Sequence, residues 1–313
     1  MLETSLLKPT LLRKGDTVGI VAPAWTFDPN NFRRGVEKMQ SLGYRVKYDR
    51  LIFGRYWSLA GHDRERAQQI TRMFADQRVR AIFCAKAGYG SIRTIPYLDV
   101  GVIRNNPKIF IGYSDITILL AYLQRVAGMV VFHGPVISGE VHEHMNPMTL
   151  EYLFRAIGQG RPLGRLRFSG MRRVRPGKAR GLLVGGNLSM LISSIGTPYE
   201  IDTRDTILFL EDVGESMESL DNYLMHLKLA GKLSEIRGLL MGKLVDRIDY
   251  SGKKYSIPHM IEDIFEDRDL PILYGFPSGH RGSEELNITL PLGVQVTLDA
   301  DNRCVYVEEP AVS

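Results

Sequence analysis

The N-terminal half of the chain alternates short, β-rich apolar runs with segments of helical spacing, joined by connections of a few residues. The runs are Asp16-Thr-Val-Gly-Ile-Val-Ala-Pro-Ala24, Tyr44-Arg-Val-Lys-Tyr48, Val79-Arg-Ala-Ile-Phe-Cys-Ala85, Pro107-Lys-Ile-Phe-Ile-Gly112 and Val130-Val-Phe-His-Gly-Pro135. Between the first two, residues 30–42 carry helical spacing and end at Gly43, where a helix C-terminus favours glycine. The segment after Ala60 puts Ile70, Met73 and Phe74 on one side of a second helix. Repeated strand–helix units with short links call for a parallel sheet covered by helices on both faces, so the fold class is α/β. In open parallel sheets the ligand site lies outside the carboxyl ends of the strands. The loops Ala22-Pro-Ala24, Ala87-Gly-Tyr-Gly90 and Gly112-Tyr-Ser-Asp115 all follow strands and should converge there.

At 313 residues the chain is long enough for two ordinary domains. Its 40 Lys and Arg against 35 Asp and Glu give a net charge of +5, which suits solubility and tolerance of acidic ligands without requiring a nucleic-acid partner. The two cysteines, Cys84 in an apolar run and Cys304 near the C-terminus, belong to no Cys/His cluster, which argues against a disulfide framework or structural zinc. The first residues lack a basic segment followed by a signal-length apolar run, and no stretch approaches membrane-spanning length without charges, so a cytoplasmic protein is expected, with no membrane partner. Ala87-Gly-Tyr-Gly90 fails the dinucleotide spacing because Arg93 stands where the third glycine would. His142 and His144, with Glu140 and Glu143 nearby, have no further histidine or cysteine at ligand spacing. No cofactor and no metal are expected.

Composition shifts between Gly158 and Gly181, where Arg161, Arg165, Arg167, Arg172, Arg173, Arg175, Lys178 and Arg180 occur with no acidic residue. Lacking helical order or a nucleic-acid motif, this stretch reads as a solvated connector. It divides the chain into a domain of residues 1–157, a basic linker 158–180 and a domain of residues 181–313. The second domain opens on Gly181-Leu-Leu-Val-Gly-Gly-Asn-Leu-Ser189 and continues with the buried strand Asp205-Thr-Ile-Leu-Phe-Leu-Glu-Asp-Val-Gly214. An amphipathic helix at 219–229, strand-like runs at 236–244 and 271–276, and closing strands at 287–293, 295–298 and 303–307 complete it.

Ser114 sits where the run ending at Gly112 breaks and an apolar helical segment begins. A serine hydroxyl held there lies beside backbone N–H groups that have no intrahelical partner, the setting a serine nucleophile needs. Ser and Asp are also the commonest helix caps, and Gly-Tyr-Ser-Asp is not the Gly-x-Ser-x-Gly elbow. A nucleophilic serine needs a base and an anion to orient that base. Glu211 follows the apolar run Ile207-Leu-Phe-Leu210, and His280 follows Pro277-Ser-Gly279 in a loop after another strand. Solvated turn chemistry at Glu211 and a surface role for His280 remain open at this level.

Taken in order, Val21-Ala-Pro-Ala24, Ala87-Gly-Tyr-Gly90, Ile111-Gly-Tyr-Ser-Asp115, His133-Gly-Pro135, Gly185-Gly-Asn-Leu188, Phe209-Leu-Glu-Asp-Val-Gly-Glu215 and Ser278-Gly-His280 resemble the LD-carboxypeptidase family, the murein tetrapeptide carboxypeptidases. The resemblance runs across nearly the whole chain. It implies a Rossmann- or flavodoxin-like N-terminal domain and a C-terminal α/β domain with a mixed sheet of the swivelling type. It also implies a serine peptidase with Ser114 as nucleophile, Glu211 as acid and His280 as base. An oxyanion hole from the N–H groups of Gly88 and Asp115, substrate contacts at Tyr89 and Gly90, and a groove between the domains follow from the same likeness. The implied reaction is release of the terminal D-alanine from the tetrapeptide stem of recycled peptidoglycan, by cleavage of an L–D amide bond in the cytoplasm, by a homodimer.

One position departs from the family's Arg-Gly-Gly-Tyr-Gly loop, which here reads Lys86-Ala-Gly-Tyr-Gly90; a methyl at Ala87 would restrict positive φ there. Two other functions compete. The related microcin-immunity peptidases share the triad and cleave a peptidyl-nucleotide, for which base stacking would call for an added aromatic-bearing loop, and none is obvious. The competitor of another class is a non-catalytic α/β ligand-binding protein with Ser114 as a cap.

Overall fold

The computed structural model describes residues 6–141, 145–245, 256–280 and 286–313; His142 and His144 lie outside the described residues. The first half contains strands β1 (Thr17–Val21), β2 (Arg45–Tyr48), β3 (Val79–Cys84), β4 (Ile109–Gly112) and β5 (Val131–His133). Between and after them run helices α1 (Pro29–Ser41), α2 (Asp63–Ala75), α3 (Val100–Asn105), α4 (Thr117–Val126) and α5 (Pro147–Gly158). The second half supplies β6 (Gly164–Leu166), β7 (Arg172–Arg175), β8 (Lys178–Asn187), β9 (Thr206–Val213), β10 (Gly238–Val245), β11 (Ile272–Phe276), β12 (Leu290–Leu292), β13 (Gln295–Asp299) and β14 (Cys304–Val307). Its helices are α6 (Leu188–Ser194), α7 (Met217–Leu229) and α8 (Ile257–Ile264).

A six-stranded sheet has the order β12-β5-β4-β3-β1-β2, with β2, β1, β3, β4 and β5 all parallel. This 2-1-3-4-5 order is that of flavodoxin-like folds, which reverse direction between β1 and β3 and open a crevice at the carboxyl ends of those two strands. β4 is buried along its whole length and β3 at five of its six positions, which is why they read as continuous apolar runs rather than alternating ones. Local chemistry sets the helix starts: Asp28 accepts from the N–H groups of Asn30 and Asn31, and Pro29 opens α1. The eight-stranded sheet is mixed, in the order β6-β14-β13-β8-β9-β10-β11-β7 with a parallel centre of β8, β9, β10 and β11.

Helix α4 joins the two sheets. Its first seven residues are buried, because it packs on β4 and β5 on one side and on β8 and α6 on the other. A helix apolar around most of its circumference belongs in such a sandwiched place. One core accordingly runs from Phe83 and Phe110 through Phe132 to Phe209 and Phe276 of the second sheet.

Two expectations change. The basic stretch 158–180 is no free connector: it contains β6 and β7, at the two edges of the eight-stranded sheet, and the start of β8. The acids that partner its cations come from in and around the distant β13–β14 hairpin, Glu308 with Arg180, Asp299 with Lys178 and Asp301 with Arg173, so local composition could not reveal them. Charged side chains also suit an edge strand, which must resist pairing with other chains. The second change concerns β12, expected among the closing strands of the second domain. It pairs antiparallel with β5 and forms an edge of the first sheet, the position in which Pro291 is tolerated. Among the described residues, no helix is long and apolar enough to cross a membrane.

Candidate active site

The loops after β1, β3 and β4 converge, held by the buried Arg66 and Asp115 side chains. Arg66 of α2, with no exposed surface, donates to the carbonyls of Pro23 after β1 and Gly90 after β3, and its other terminal nitrogen pairs with Asp63. Asp115 ties the same loop to the end of β4, accepting from the N–H of Gly90 at 3.1 Å and of Ser91 at 2.8 Å, while its own carbonyl receives the Ser91 hydroxyl at 2.5 Å. Burial pushes the Asp115 carboxyl above its ordinary pKa, opposed by those hydrogen bonds and by the charge of Arg66.

Ser114 lies just past β4, at φ +60°, a left-handed conformation that non-glycine residues rarely adopt. It begins a single 3₁₀ turn, Ser114–Ile116, that leads into α4. Neither Ser114 nor Asp115 caps that turn: the cap position is Tyr113, which makes no side-chain cap bond, and the Asp115 carboxylate reaches across to the neighbouring loop instead. The turn's hydrogen bonds run from Ile116 to Tyr113 and from Thr117 to Ser114, leaving the Asp115 N–H outside them. The Gly88 N–H also has no partner among the described residues.

The second sheet brings Glu211 and His280 together. Glu211 was expected just beyond its strand; it lies inside β9, which continues to Val213, opposite Asn187 of β8 and with no exposed surface. Its Oε2 accepts from His280 Nδ1 at 2.8 Å and from the His280 backbone N–H at 3.0 Å. Its Oε1 accepts from Asn187 Nδ2 at 3.3 Å and stands 3.7 Å from His133 Nε2. Gly279, at φ +94°, is required between them, since a Cβ there would collide with the Glu211 carboxyl. Burial alone would raise the Glu211 pKa, but the charge and hydrogen bond of His280, with His133 beside it, hold the carboxyl well below the usual carboxylate range. For His280, burial favours the neutral ring, yet the Glu211 carboxylate outweighs it and raises its pKa.

Tyr113 connects this pair to the first sheet. Its ring centroid lies 5.1 Å from that of His280, and its hydroxyl donates to buried Glu140 at 2.5 Å. Ser114 therefore follows directly on a residue in contact with His280, although no hydrogen bond joins Ser114 to His280 among the described residues.

The loop Lys86–Ser91 carries the other expected positions. Tyr89 is exposed, while Gly90 is buried with its N–H and carbonyl taken by Asp115 and Arg66. The expected strain at Ala87 is absent, because the left-handed positions are Gly88 at φ +117° and Gly90 at φ +102°. Gly88 is exposed but lies against the Trp25 indole, into which a Cβ would run. Trp57, 77% exposed and itself at φ +57°, meets Tyr89 edge-on at 6.0 Å, and Lys86 Nζ lies 5.9 Å from the Trp25 ring centroid. An aromatic rim thus surrounds the candidate oxyanion loop, assembled from three separate segments.

From the sequence alone Arg66 has no place in this site, and Asn187 and His133 enter it only within the motifs Gly185-Gly-Asn-Leu188 and His133-Gly-Pro135, without an assigned role. Each acts through partners far away in the chain; only a charged residue on the buried face of α2 could have flagged Arg66.

The likeness to known proteins extends over both sheets. A family model described as the LD-carboxypeptidase N-terminal domain matches residues 18–134, and one described as the LD-carboxypeptidase C-terminal domain matches residues 180–298. A Bacillus subtilis (strain 168) protein named probable murein peptide carboxypeptidase is 36% identical over 303 residues, 96% of this chain and 94% of that protein. The murein tetrapeptide carboxypeptidase of Pseudomonas aeruginosa is 27% identical over 301 residues, 91% and 93% of the two chains. The solved structure of MccF in complex with glutamyl sulfamoyl guanosine superposes with a TM-score of 0.89 at 26% identity, covering 98% of this chain and 100% of that one. With models for both domains matched in order and a relative similar over almost its full length, the chain belongs to the LD-carboxypeptidase family.

Proposed function

We propose that the protein is a serine-type LD-carboxypeptidase that releases the terminal D-alanine from murein tetrapeptide stems. The observation that carries this reading is the Glu211–His280 pair at 2.8 Å, beside a serine held at φ +60° where a strand turns into a helix. Because a carboxylate can only accept, His280 Nδ1 carries the proton and Nε2 is left with the basic lone pair. Nε2 takes the proton from Ser114 Oγ as that oxygen attacks the carbonyl preceding D-alanine. The N–H groups of Gly88 and Asp115 hold the resulting oxyanion. His280 then gives its proton to the amine of D-alanine, which leaves, and a water deprotonated by His280 hydrolyses the acyl-serine. The binding groove runs between the two domains with Tyr89 at its edge. The reaction belongs to the cytoplasm, on stems recovered from peptidoglycan, and the active species is a homodimer, which sedimentation velocity tests.

The names of two relatives support the substrate class: a murein tetrapeptide carboxypeptidase and a probable murein peptide carboxypeptidase are both similar over most of the chain. The experiment is incubation with tetrapeptide stems varied at positions three and four, with D-alanine measured by mass spectrometry. Release by the native protein and its loss by several orders of magnitude in Ser114→Ala are expected. Release undiminished in Ser114→Ala would sink the assignment.

A second reading, cleavage of a peptidyl-nucleotide, is favoured by one observation. The aromatic-bearing loop that no single stretch of sequence displays is assembled in space from Trp25, Trp57 and Tyr89, a rim on which a base could stack. Assaying a peptidyl-nucleotide beside the tetrapeptides separates the two.

A further inference from the structure

His133 ends β5 of the first sheet and is fully buried, its ring 5.2 Å from that of Phe209 and 6.0 Å from that of Tyr113. Both of its nitrogens approach residues of the second half of the chain. Nδ1 is 3.2 Å from Ser278 Oγ, and Nε2 is 3.7 Å from Glu211 Oε1. Among the described residues Nε2 has no hydrogen-bond partner, so the Glu211 carboxylate is the acceptor it faces. At 3.7 Å the carboxylate makes no hydrogen bond with Nε2, but its negative charge favours the ring proton on Nε2 and the lone pair on Nδ1; in that tautomer the Ser278 hydroxyl is the donor to Nδ1. Ser278 stands two residues before His280 in the same loop, and Gly279 between them presses on the Glu211 carboxyl.

We infer that His133 is a positioning residue for the Glu211–His280 pair: the Glu211 charge selects the Nε2–H tautomer, the Ser278 hydroxyl donates to the bare Nδ1, and the N–H facing Oε1 orients the Glu211 carboxylate so that Oε2 is left to His280. The inference rests on the peptidase reading above. The division of the two oxygens supports it, since among the described residues Oε1 meets only Asn187 and His133 while Oε2 takes both bonds from His280. The sheet topology gives it a further consequence. His133 comes from the first sheet and Glu211 from the second, so the contact forms only when the two are docked, and the pair is oriented only in the assembled molecule.

The test has a spectroscopic and a kinetic arm. In protein carrying ¹⁵N-labelled histidine, with the His133 signals identified by their loss in His133→Phe, the expected pattern is a protonated Nε2 and a bare Nδ1; a protonated Nδ1 would overturn the inference. His133→Phe keeps a ring against Phe209 and removes both nitrogens. It should slow fluorophosphonate labelling of Ser114 and lower kcat for D-alanine release by about 10- to 100-fold with KM little changed, the range seen when an outer hydrogen-bonding partner is lost. Ser278→Ala should do the same to a smaller degree, and the double variant should be no worse than His133→Phe, because both act through one connection. Additive losses, or a His133→Phe protein labelled within twofold of the native rate, would overturn it. If His133→Phe does not fold, the native tautomer, assigned through His133→Gln, and the Ser278→Ala rate still decide. Should the native protein label at Ser114 yet release no D-alanine from any tetrapeptide, the substrate reading fails while the tautomer and labelling rates still judge His133.

Discussion

Glu211 receives His280 twice on one oxygen: Oε2 lies 2.8 Å from the ring Nδ1 and 3.0 Å from the backbone N–H of the same residue. The two bonds fix the tautomer of the ring and the conformation of the loop that carries it. Glu211→Ala removes the acceptor of both bonds at once and leaves a part-buried N–H without that partner. The expected outcome is a fall in kcat of roughly 10³- to 10⁴-fold, comparable to loss of the acid in other serine triads, with KM changed only a few-fold. Steady-state kinetics with a tetrapeptide stem checks it; a loss under tenfold would remove Glu211 from the machinery.

The same contact predicts that activity and stability peak at different pH. His280 must be neutral to act as base, and its pKa is raised above the ordinary 6.5 chiefly by Glu211 working against burial, so kcat/KM should climb through an apparent pKa above that value. In Glu211→Ala the limb should move to lower pH. For stability the signs oppose. The contribution of His280 is fully present below the unfolded imidazole value and fades as pH rises through the folded one. That of Glu211, whose pKa is lowered from 4.5, is fully present above the unfolded value and fades as pH falls. The pair therefore stabilises most between the two ordinary values, on the acid side of the activity optimum. Melting temperature and kcat/KM measured over the same pH series test this, and coincident maxima would contradict it.

How much of this was legible before any coordinates depended on whether a residue's partner was near in sequence. Ser114, Glu211 and His280 could be singled out as candidates because each stands at or near the end of an apolar strand, and strand ends of parallel sheets gather at one edge. The first sheet was legible for a related reason, since buried parallel strands read as apolar runs. Local spacing allows Asp115 as a cap beside the oxyanion role that the family resemblance implies for its N–H, yet its carboxylate serves Gly90 and Ser91, some 25 residues earlier. Arg173, Lys178 and Arg180 are as exposed as their sequence suggests, but the stretch 158–180 reads as a connector because the acids that pair with them, Asp301, Asp299 and Glu308, lie over a hundred residues away. No periodicity marks β12 as belonging to the first sheet, because the strand alone does not specify which edge it joins.

Asp115 yields a third prediction, because its carboxylate is the acceptor for two buried N–H groups and a counter-charge to Arg66. Asp115→Ala strands both donors, and each unsatisfied buried group costs about 1–3 kcal/mol. The expected result is destabilisation of roughly 2–5 kcal/mol, the sum moderated by relaxation of the loop. Asp115→Asn keeps one acceptor and should lose less. Denaturant unfolding of the three proteins gives the ranking, and equal stability of Asp115→Ala and native protein would show that the loops are held by something else.

Trp57 combines 77% exposure with a left-handed backbone, and the two together are costly. Left-handed φ costs an L-residue about 1–2 kcal/mol, and a ring so exposed returns little burial energy to offset it. Strain kept without a packing return points to use at the site, and the ring meets Tyr89 of the candidate oxyanion loop at 6.0 Å. Asparagine tolerates the left-handed region, so Trp57→Asn removes the ring while easing the backbone. The protein should melt no lower than native, with KM raised about three- to tenfold and kcat unchanged, the pattern of lost uniform binding. A lower melting temperature with unaltered KM would instead make Trp57 a structural residue of its loop.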